Sequence, residues 1–500
     1  MMADFFLGID AGGTAVKAAV FSASGEEVGV AARTPRFLSP HAGHAERDPE
    51  EMWRHVGEAV PRALASAGVS ADDIAVVGVT GFGNGLFLVD GAGRPTTNGI
   101  LASDIRAAGI CDEWVGEGLG AEHLARTGQT LWPGKPAPIL AWLGRHRPEV
   151  LQASHAALMC KDFLRLRLTG ELAAEVTDQS TGSLVGLDRT YATGLMGDLG
   201  LGGSVRLLPQ LIEPLTVAGT VTAKAAAETG LRAGTPVTAG CCDNLAVMYG
   251  TGAVGDDRIV VMSGTWGLHQ AFLPAPVTDG SVLICSHGLQ PGEWLAIEGS
   301  PTSASSLEWF IEAFLKPVAG DAADLHGFCN RLVAEAPEDG PPVYFLPFLN
   351  GAIDNSAARG SFLGLSSWHR LGHAVRALYE GVAFEHRRHL ERLLSVREPP
   401  VAVRFAGGAA KSKAWSEIFA ASLGLTLEVP AGSEFGARGA ALVAGAVIGR
   451  FASPAAAAAD TRIDRLIAPD PVLRAKLDRR YAAYRTLIDT LAPAWKEVAP

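Results

Sequence analysis

Two stretches of the chain share one pattern of apolar and polar positions. Phe5–Ile9 and Ala15–Phe21 run apolar or alternate around the polar turn DAGGT. LGIDAGGTAVKAAVF (Leu7–Phe21) is therefore expected as strand, glycine turn, strand. IVVMSGTWGLHQAF (Ile259–Phe272) repeats the pattern around Ser263-Gly264-Thr265 in the second half. SASGEEV (Ser22–Val28) reads as the next hairpin turn. AERDPEEMWRHVGEAVPRALASAG predicts a helix with Asp48 as N-cap, Pro49 at the first helical position and acids in the first turn. Its residues Met52, Val56, Val60 and Leu64 fall on one face. IAVVGVTGFG reads as a buried strand, and CKDFLRLRLTGEL as a helix with a glycine stop. Near mid-chain, TAGCCDNLAVMYGTG (Thr238–Gly252) predicts a strand end, a tight turn and an apolar helix opening at Asp243. Further on, HRLGHAVRALYEGVAFEHRRHLERLL has a helical face, VAVRFAGGAAKSKAW reads strand–turn–helix, and SEFGARGAALVAGAVIG is a small-residue helix capped at Ser433. Asp460–Pro500 is expected as a charged helical tail at the periphery. Strands regularly followed by helices give an α/β fold class.

Five hundred residues suggest two or three domains, with ample chain for a core. Glycine is over-represented, with 59 residues where ordinary usage gives about 35, so many turns and close backbone approaches are expected. The net charge of −11 with no long basic run argues against nucleic acid or an anionic membrane as partner. The opening MMADFFLGIDAGG lacks a basic n-region, which predicts no secretory leader. The apolar run Gly439–Gly449 is too short to span a bilayer. Six cysteines without metal-like spacing fit a reducing, cytoplasmic setting, with Cys241 and Cys242 as small buried residues.

The candidate chemistry gathers at the turns. In GIDAGGTAVK, Gly12 and Gly13 let backbone amides approach phosphate oxygens, Thr14 adds a hydroxyl and Lys17 a positive charge. Asp10 could hold Mg²⁺ through water. Read alone, this is also an ordinary hairpin turn, and the P-loop spacing is absent. Gly264 and Thr265 in the second turn could hold phosphates from another side, and AGGAAKS (Ala406–Ser412) could lie under an adenosine or be a plain strand-to-helix turn. Asp243 suits a base that accepts a hydroxyl proton during phosphoryl transfer, and it also suits a routine helix cap. Asp104 and Arg106 are candidate hydrogen-bonders to a substrate, or a cap plus a solvated arginine. Trp266, Trp309 and Trp415 read as packing residues, and His386 and His389 as ordinary residues of one helix face.

These blocks, in order, carry a family likeness. GIDAGGTAVK, AERDPEEMW, CKDFLRLRLTGE with TDQSTG, AGCCDN, SGTWG, SPTSASSLEWF, LPFLNG with ARGSFLGL, LYEGVAF, FAGGAAKSKAW and EFGARGAALVAG match over nearly the whole chain. The chain resembles the FGGY carbohydrate kinases. The resemblance implies two actin-like (ribonuclease H-like) domains with ATP in the interdomain cleft and a sugar or polyol deep in the N-terminal half. It implies Asp243 as the base, Asp10, Thr14 and Lys17 as the first phosphate and Mg²⁺ loop, and Thr265 in the second loop. Gly407, Gly408, Ala409 and Ser412 fall at the adenosine site, and a homodimer is suggested. Several positions depart from the pattern: the first loop keeps one hydroxyl (Thr14), Ile139 replaces a lysine while Trp142 is kept, and Ala102 replaces a tryptophan. Gly83-Asn84 stands where D-xylulose kinases place a Met-His pair against the sugar. The stretches GNGLFLVD, GILASDIRA and SGTWG look most like the L-xylulose and 3-keto-gulonate kinase branch.

The expectation is thus an ATP- and Mg²⁺-dependent, cytoplasmic kinase that phosphorylates a terminal hydroxyl of a small ketose, xylulose first. Residues 1–252 are expected to hold the sugar site (Gly83, Asn84, Asp104, Arg106, Asp243) and the first phosphate loop. Residues 253–500 are expected to hold the second loop and the adenosine site. Asp10 and Asp243 are the candidate metal ligands. The rivals are an erythritol or other polyol kinase, a non-catalytic sugar sensor, and an actin- or chaperone-like ATPase.

Overall fold

The computed structural model describes residues 4–319, 324–337, 340–352 and 355–498, which form two compact units. The first comprises Met1–Gly255, Phe272–Ala296 and Gly432–Thr461. Its sheet contains β1 (Phe5–Ala11), β2 (Val16–Ser22), β3 (Glu27–Arg33), β4 (Ile74–Gly81), β5 (Val217–Thr220) and β6 (Pro236–Thr238) in the order β5-β6-β4-β1-β2-β3. β1, β2 and β3 pair antiparallel through the two expected hairpin turns, whereas β4 runs parallel to β1 and β6 parallel to β4.

Strand alternation divides the β1 side chains between two faces. Leu7 and Ile9 join Met52, Val56 and Val60 of the helix Pro49–Ala67 in one core cluster. Asp48 caps that helix by accepting from the Glu50 amide at 2.8 Å, and Pro49 opens it as expected. On the other face, Phe6, Ala19, Phe21 and Val76 pack on Ala437, Ala441 and Ala444 of the helix Phe435–Val447. There the spacing is set by glycine. A Cβ on Gly8 would stand 2.0 Å from the Ala437 carbonyl oxygen, and one on Gly78 2.1 Å from that of Ala440. Between the helices Asp243–Thr251 and Phe435–Val447, a Cβ on Gly439 would stand 1.7 Å from the Ala246 carbonyl. The glycine-rich composition thus lets backbone pack on backbone at these positions.

The second unit comprises Asp256–Ala271, Ile297–Ala431 and Arg462–Pro500. Its strands β7 (Arg258–Ser263), β8 (Gly267–Leu273), β9 (Trp294–Ser300), β10 (Ala402–Gly407), β11 (Leu427–Pro430) and β12 (Ile463–Ile467) are ordered β9-β8-β7-β10-β11-β12. β7 and β8 form the second antiparallel hairpin, and β7, β10 and β11 are parallel. The helices Leu371–Leu393 and Lys413–Leu423 follow the expected pattern.

Three expectations change. The terminal stretch is not a peripheral tail: β12 pairs antiparallel with β11, Leu477 and Tyr484 are fully buried, and Trp495 packs edge-on against Phe348 at 5.5 Å. Its charged residues had hidden an amphipathic face. The helix Phe435–Val447 has Glu434, not Ser433, as its N-cap residue, and it carries no side-chain cap bond. The compact units are also discontinuous in sequence, because Gly432–Thr461 packs with the first one.

Candidate active site

The first turn is open to ligand. Gly12 donates its amide to the Ala15 carbonyl at 3.0 Å, which closes the turn, and a Cβ on Gly13 would meet nothing within 4 Å. Thr14 is exposed. Arg47, buried, donates to the carbonyl oxygens of Gly12 at 3.2 Å and Gly13, bracing the loop from below. Sequence reasoning missed this arginine. It precedes the Asp48 cap and read only as the approach to a helix. Lys17 forms an ion pair with Glu434 at 2.6 Å.

Near the end of β1, Asp10 is partly buried, and its buried Oδ1 has no hydrogen-bond partner. Burial raises its pKa to about 6, with Lys17 pulling it down and Glu434 pushing it up. A buried carboxylate with an unsatisfied oxygen is a natural cation ligand.

Asp243 opens its helix after a turn fastened from several elements. Gly240 adopts a left-handed φ of 75°, and a Cβ there would sit 2.0 Å from the Val79 carbonyl oxygen. Thr80 Oγ1 donates to the Cys241 carbonyl at 2.9 Å, and the Cys242 amide donates to Thr177 Oγ1 at 3.0 Å. Below the turn, Arg165 and Lys161 donate to the Ala239 carbonyl at 3.1 and 3.4 Å while pairing with Asp162. Cys241 and Cys242 are buried thiols without disulfides, as expected. Asp243 Oδ1 accepts from Asn244 N and Nδ2, both at 2.8 Å. Burial, then the neighbouring Asp10, raises the Asp243 pKa to about 7. An acid titrating there is suited to exchange a proton near neutrality.

Asn84 follows Gly83, whose backbone hydrogen-bonds Asp243. It holds a left-handed φ of 62°, unusual for a residue with a side chain, and its buried Oδ1 has no partner. Gly83 leaves room: a Cβ there would be 3.8 Å from Asp243 Oδ1 and 4.0 Å from Asp178 Oδ1. Asp104 and Arg106 behave differently from a cap plus a solvated arginine. Arg106 Nε and Nη2 fork onto the Asp104 carboxylate at 2.8 Å each, and Nη2 also reaches Glu46 at 2.6 Å. The Ala45 amide takes a further Asp104 acceptor position at 2.6 Å. The Arg106 guanidinium stands 5.2 Å from the Trp142 ring centre. Asp104 is thus fully engaged within the protein, and Arg106 is held rigid.

In the second unit, the Thr265 carbonyl accepts from Ser303 N at 3.1 Å and Ser305 Oγ at 2.8 Å, and Gly264 closes the turn by donating to the Trp266 carbonyl at 3.1 Å. Gly407 has φ 97° with Ser263 O 2.4 Å from a built Cβ, so β7 and β10 touch there through glycine. Gly408 and Ala409 lead into the turn of Ala409–Lys411. Ser412 caps the next helix by accepting from the Trp415 amide at 3.1 Å, and it donates to Asn330 at 2.6 Å. Trp415 is buried and Trp309 packs on Phe310, Phe314 and Phe345, as expected, although Trp309 and Trp266 are each more than one-third exposed. His386 and His389 are more than face residues: His386 joins Ser303 Oγ to His269 at 2.7 and 3.1 Å.

Among the described residues no cluster of three or more His, Cys, Asp and Glu could hold a metal ion unaided. Mg²⁺ needs less, because it keeps several waters and takes one or two carboxylates plus substrate phosphates. The orphaned Asp10 oxygen and the electrostatic neighbour Asp243 fit that manner of binding. No helix among the described residues is long and apolar enough to cross a membrane.

Sequence models of the FGGY family of carbohydrate kinases match residues 5–250 with the N-terminal domain and 259–447 with the C-terminal domain. The chain belongs to the FGGY family of carbohydrate kinases. A probable L-xylulose kinase of Pasteurella multocida is 33% identical over 491 residues, covering 98% of this chain and 99% of that protein. The L-xylulose/3-keto-L-gulonate kinase of Escherichia coli K12 is 33% identical over 494 residues, with 98% of each chain covered. The crystal structure of xylulose kinase from Rhodospirillum rubrum superposes with a TM-score of 0.87 at 29% identity, over 98% of this chain and 100% of that one. This FGGY kinase therefore has the two-domain, actin-like α/β fold and is a phosphotransferase acting on a ketose or polyol. Kinases of the family use ATP and generally a divalent metal.

Proposed function

We propose that this FGGY kinase transfers the γ-phosphoryl group of ATP to a terminal hydroxyl of a small ketose of the xylulose class, with L-xylulose the first acceptor to test. The observation that carries the reading is Asp243: a partly buried carboxyl at a helix start, its pKa raised to about 7 by desolvation and by Asp10, with the Gly83 backbone against it. The likeness at 33% identity to a probable L-xylulose kinase and to an L-xylulose/3-keto-L-gulonate kinase supports the choice of acceptor.

In this reading Asp243 accepts the hydroxyl proton as the sugar oxygen attacks the γ-phosphorus and ADP leaves. Gly83, Asn84 and Arg106 line the sugar, with Asp104 holding Arg106 in place. The turn Asp10–Lys17 receives phosphate oxygens on the amides of Gly12 and Gly13, the Thr14 hydroxyl and the Lys17 ammonium. Gly264 and Thr265 serve phosphates in the second half, and Gly407, Gly408, Ala409 and Ser412 serve the adenosine. Residues 1–252 thus carry the acceptor and the first phosphate loop, and 253–500 the second loop and the nucleoside. Mg²⁺, held by Asp10 and Asp243 largely through water, would neutralise charge on the transferring group. We place the enzyme in the cytoplasm, as a homodimer.

The test is ADP release against a panel of ketopentoses and polyols, with Asp243→Asn in parallel. L-Xylulose should give the highest kcat/KM, and the variant should lose about 10²–10⁴-fold in kcat. A polyol outperforming every ketose would replace the acceptor assignment, and full turnover by the variant would refute the base.

A further inference from the structure

The TDQSTG block contains an acid that neither fold nor chemistry has so far employed. Asp178 lies in the short helix Val176–Thr181, fully buried, and neither carboxyl oxygen has a hydrogen-bond partner. Its nearest cation, Lys161 Nζ, stands 3.7 Å from Oδ2 but is already bonded to Asp162 at 2.6 Å. Leaving a buried carboxyl in this state is costly unless something completes it.

The surroundings show where the completing group would lie. A Cβ built on Gly83 would have Asp243 Oδ1 at 3.8 Å, Asp178 Oδ1 at 4.0 Å and Thr181 Oγ1 at 4.0 Å. Three polar side chains thus converge on a position where the chain supplies only hydrogen. Thr181 Oγ1 spends its proton within its own helix, on the carbonyls of Thr177 and Asp178 at 2.8 and 3.0 Å. The orphaned Asn84 Oδ1 belongs to the next residue along. The groups that face Asp178 electrostatically are Lys161, Asp162, Glu175 and Asp243; burial raises its pKa well above the usual carboxylate range, the three acids push the same way, and Lys161 alone opposes. A carboxyl offers hydrogen-bond acceptors, and a donor as well when protonated, which suits a polyhydroxy compound.

We propose that Asp178 is a sugar-contacting residue, its carboxyl hydrogen-bonding an acceptor oxygen next to the hydroxyl that faces Asp243. The proposal deepens the sugar-kinase reading and rests on the Asp243 side of Gly83 being the acceptor site. A purely structural role in the ion cluster of Lys161, Asp162 and Arg165 makes the opposite forecast, because Asp178 would then be missed by the fold and not by the sugar.

The experiment compares Asp178→Ala, Asp178→Leu and Asp178→Asn in the full-length enzyme. It uses equilibrium binding of L-xylulose by titration calorimetry, KM values for L-xylulose and ATP, and thermal melting. The alanine and leucine variants should weaken L-xylulose binding at least about 30-fold, in line with the loss of hydrogen bonds in a buried site. The asparagine variant, which keeps a donor and an acceptor, should stay within about fivefold. KM for ATP should move less than about threefold, and the melting temperature should hold or rise, since an unpartnered buried acid has been removed. Should the alanine variant fail to fold, the leucine variant, which fills the volume, decides by the same figures. L-Xylulose affinity within twofold of wild type in a folded alanine or leucine variant overturns the proposal. So does a parallel rise in both KM values with a lowered melting temperature. The failure of the underlying reading looks different: wild-type enzyme that neither binds nor phosphorylates L-xylulose, or Asp243→Asn with full turnover.

Discussion

Asp243 shows how one residue type can serve two readings at once. It is the first residue of its helix, after the N-cap residue Cys242, and accepts from the next amide, that of Asn244, in place of the capping role the sequence also allowed. What separates it from a routine cap is burial and the nearby Asp10, and neither is visible in a string of letters. The consequence for activity is a pH profile in which kcat/KM for the sugar rises with pH up to about 7 and then levels. Stability runs the other way. The folded pKa lies above the unfolded value of 3.8, so the folded state retains a proton that the unfolded chain loses. Stability therefore falls as pH climbs through the window from 3.8 to about 7. Asp243→Asn cannot ionise, so its melting temperature should exceed that of wild type by more at pH 8 than at pH 5. Equal differences at the two values would show that the carboxyl is not desolvated. Lys17 gives a second residue-scale expectation. Its ammonium is shared with Glu434 at 2.6 Å, so Glu434→Gln should lower KM for ATP severalfold in dilute buffer, with the gain shrinking in high salt. The motif letters identified Lys17 but not its partner, which is encoded more than four hundred residues away.

At the scale of elements, both hairpins and the helix after Asp48 were legible, because period-two strands, a proline at the first helical position and glycine turns act locally. Arg47 was not, since what it braces is two carbonyls that approach only after folding. The C-terminal helix Pro471–Val498 was misplaced for a related reason: its apolar face shows only against Glu385 and Phe348, which Tyr484 and Trp495 meet. Glycines also divide by role at this scale. Gly439 has a carbonyl 1.7 Å from where a Cβ would stand, whereas Gly13 has nothing within 4 Å. Gly439→Ala should lower unfolding free energy by about 1–3 kcal/mol or more in a urea titration. Gly13→Ala should leave that titration unchanged within about 0.5 kcal/mol while raising KM for ATP. The reverse pattern would mean that the first turn is built for packing.

For the whole molecule, ten ordered blocks identified the family before any contact was known, and the FGGY models then matched both halves. The return of Gly432–Thr461 to the first unit escaped notice, because a stripe of small residues says that something packs closely but not what. Deleting Pro471–Pro500 should strip the second unit of the partners of Phe348 and Glu385, lowering the melting temperature and the yield of dispersed protein. Unchanged melting would restore the peripheral reading of this helix.

The late return of Phe435–Val447 also has a temporal side. While the ribosome is still reading the middle of the message, the nascent N-terminal sheet must wait with its Gly8 and Gly78 face bare, because the helix that covers it has not been made. A fragment ending at Gly255 should accordingly stay a client of chaperones until a peptide spanning 432–461 is supplied in trans.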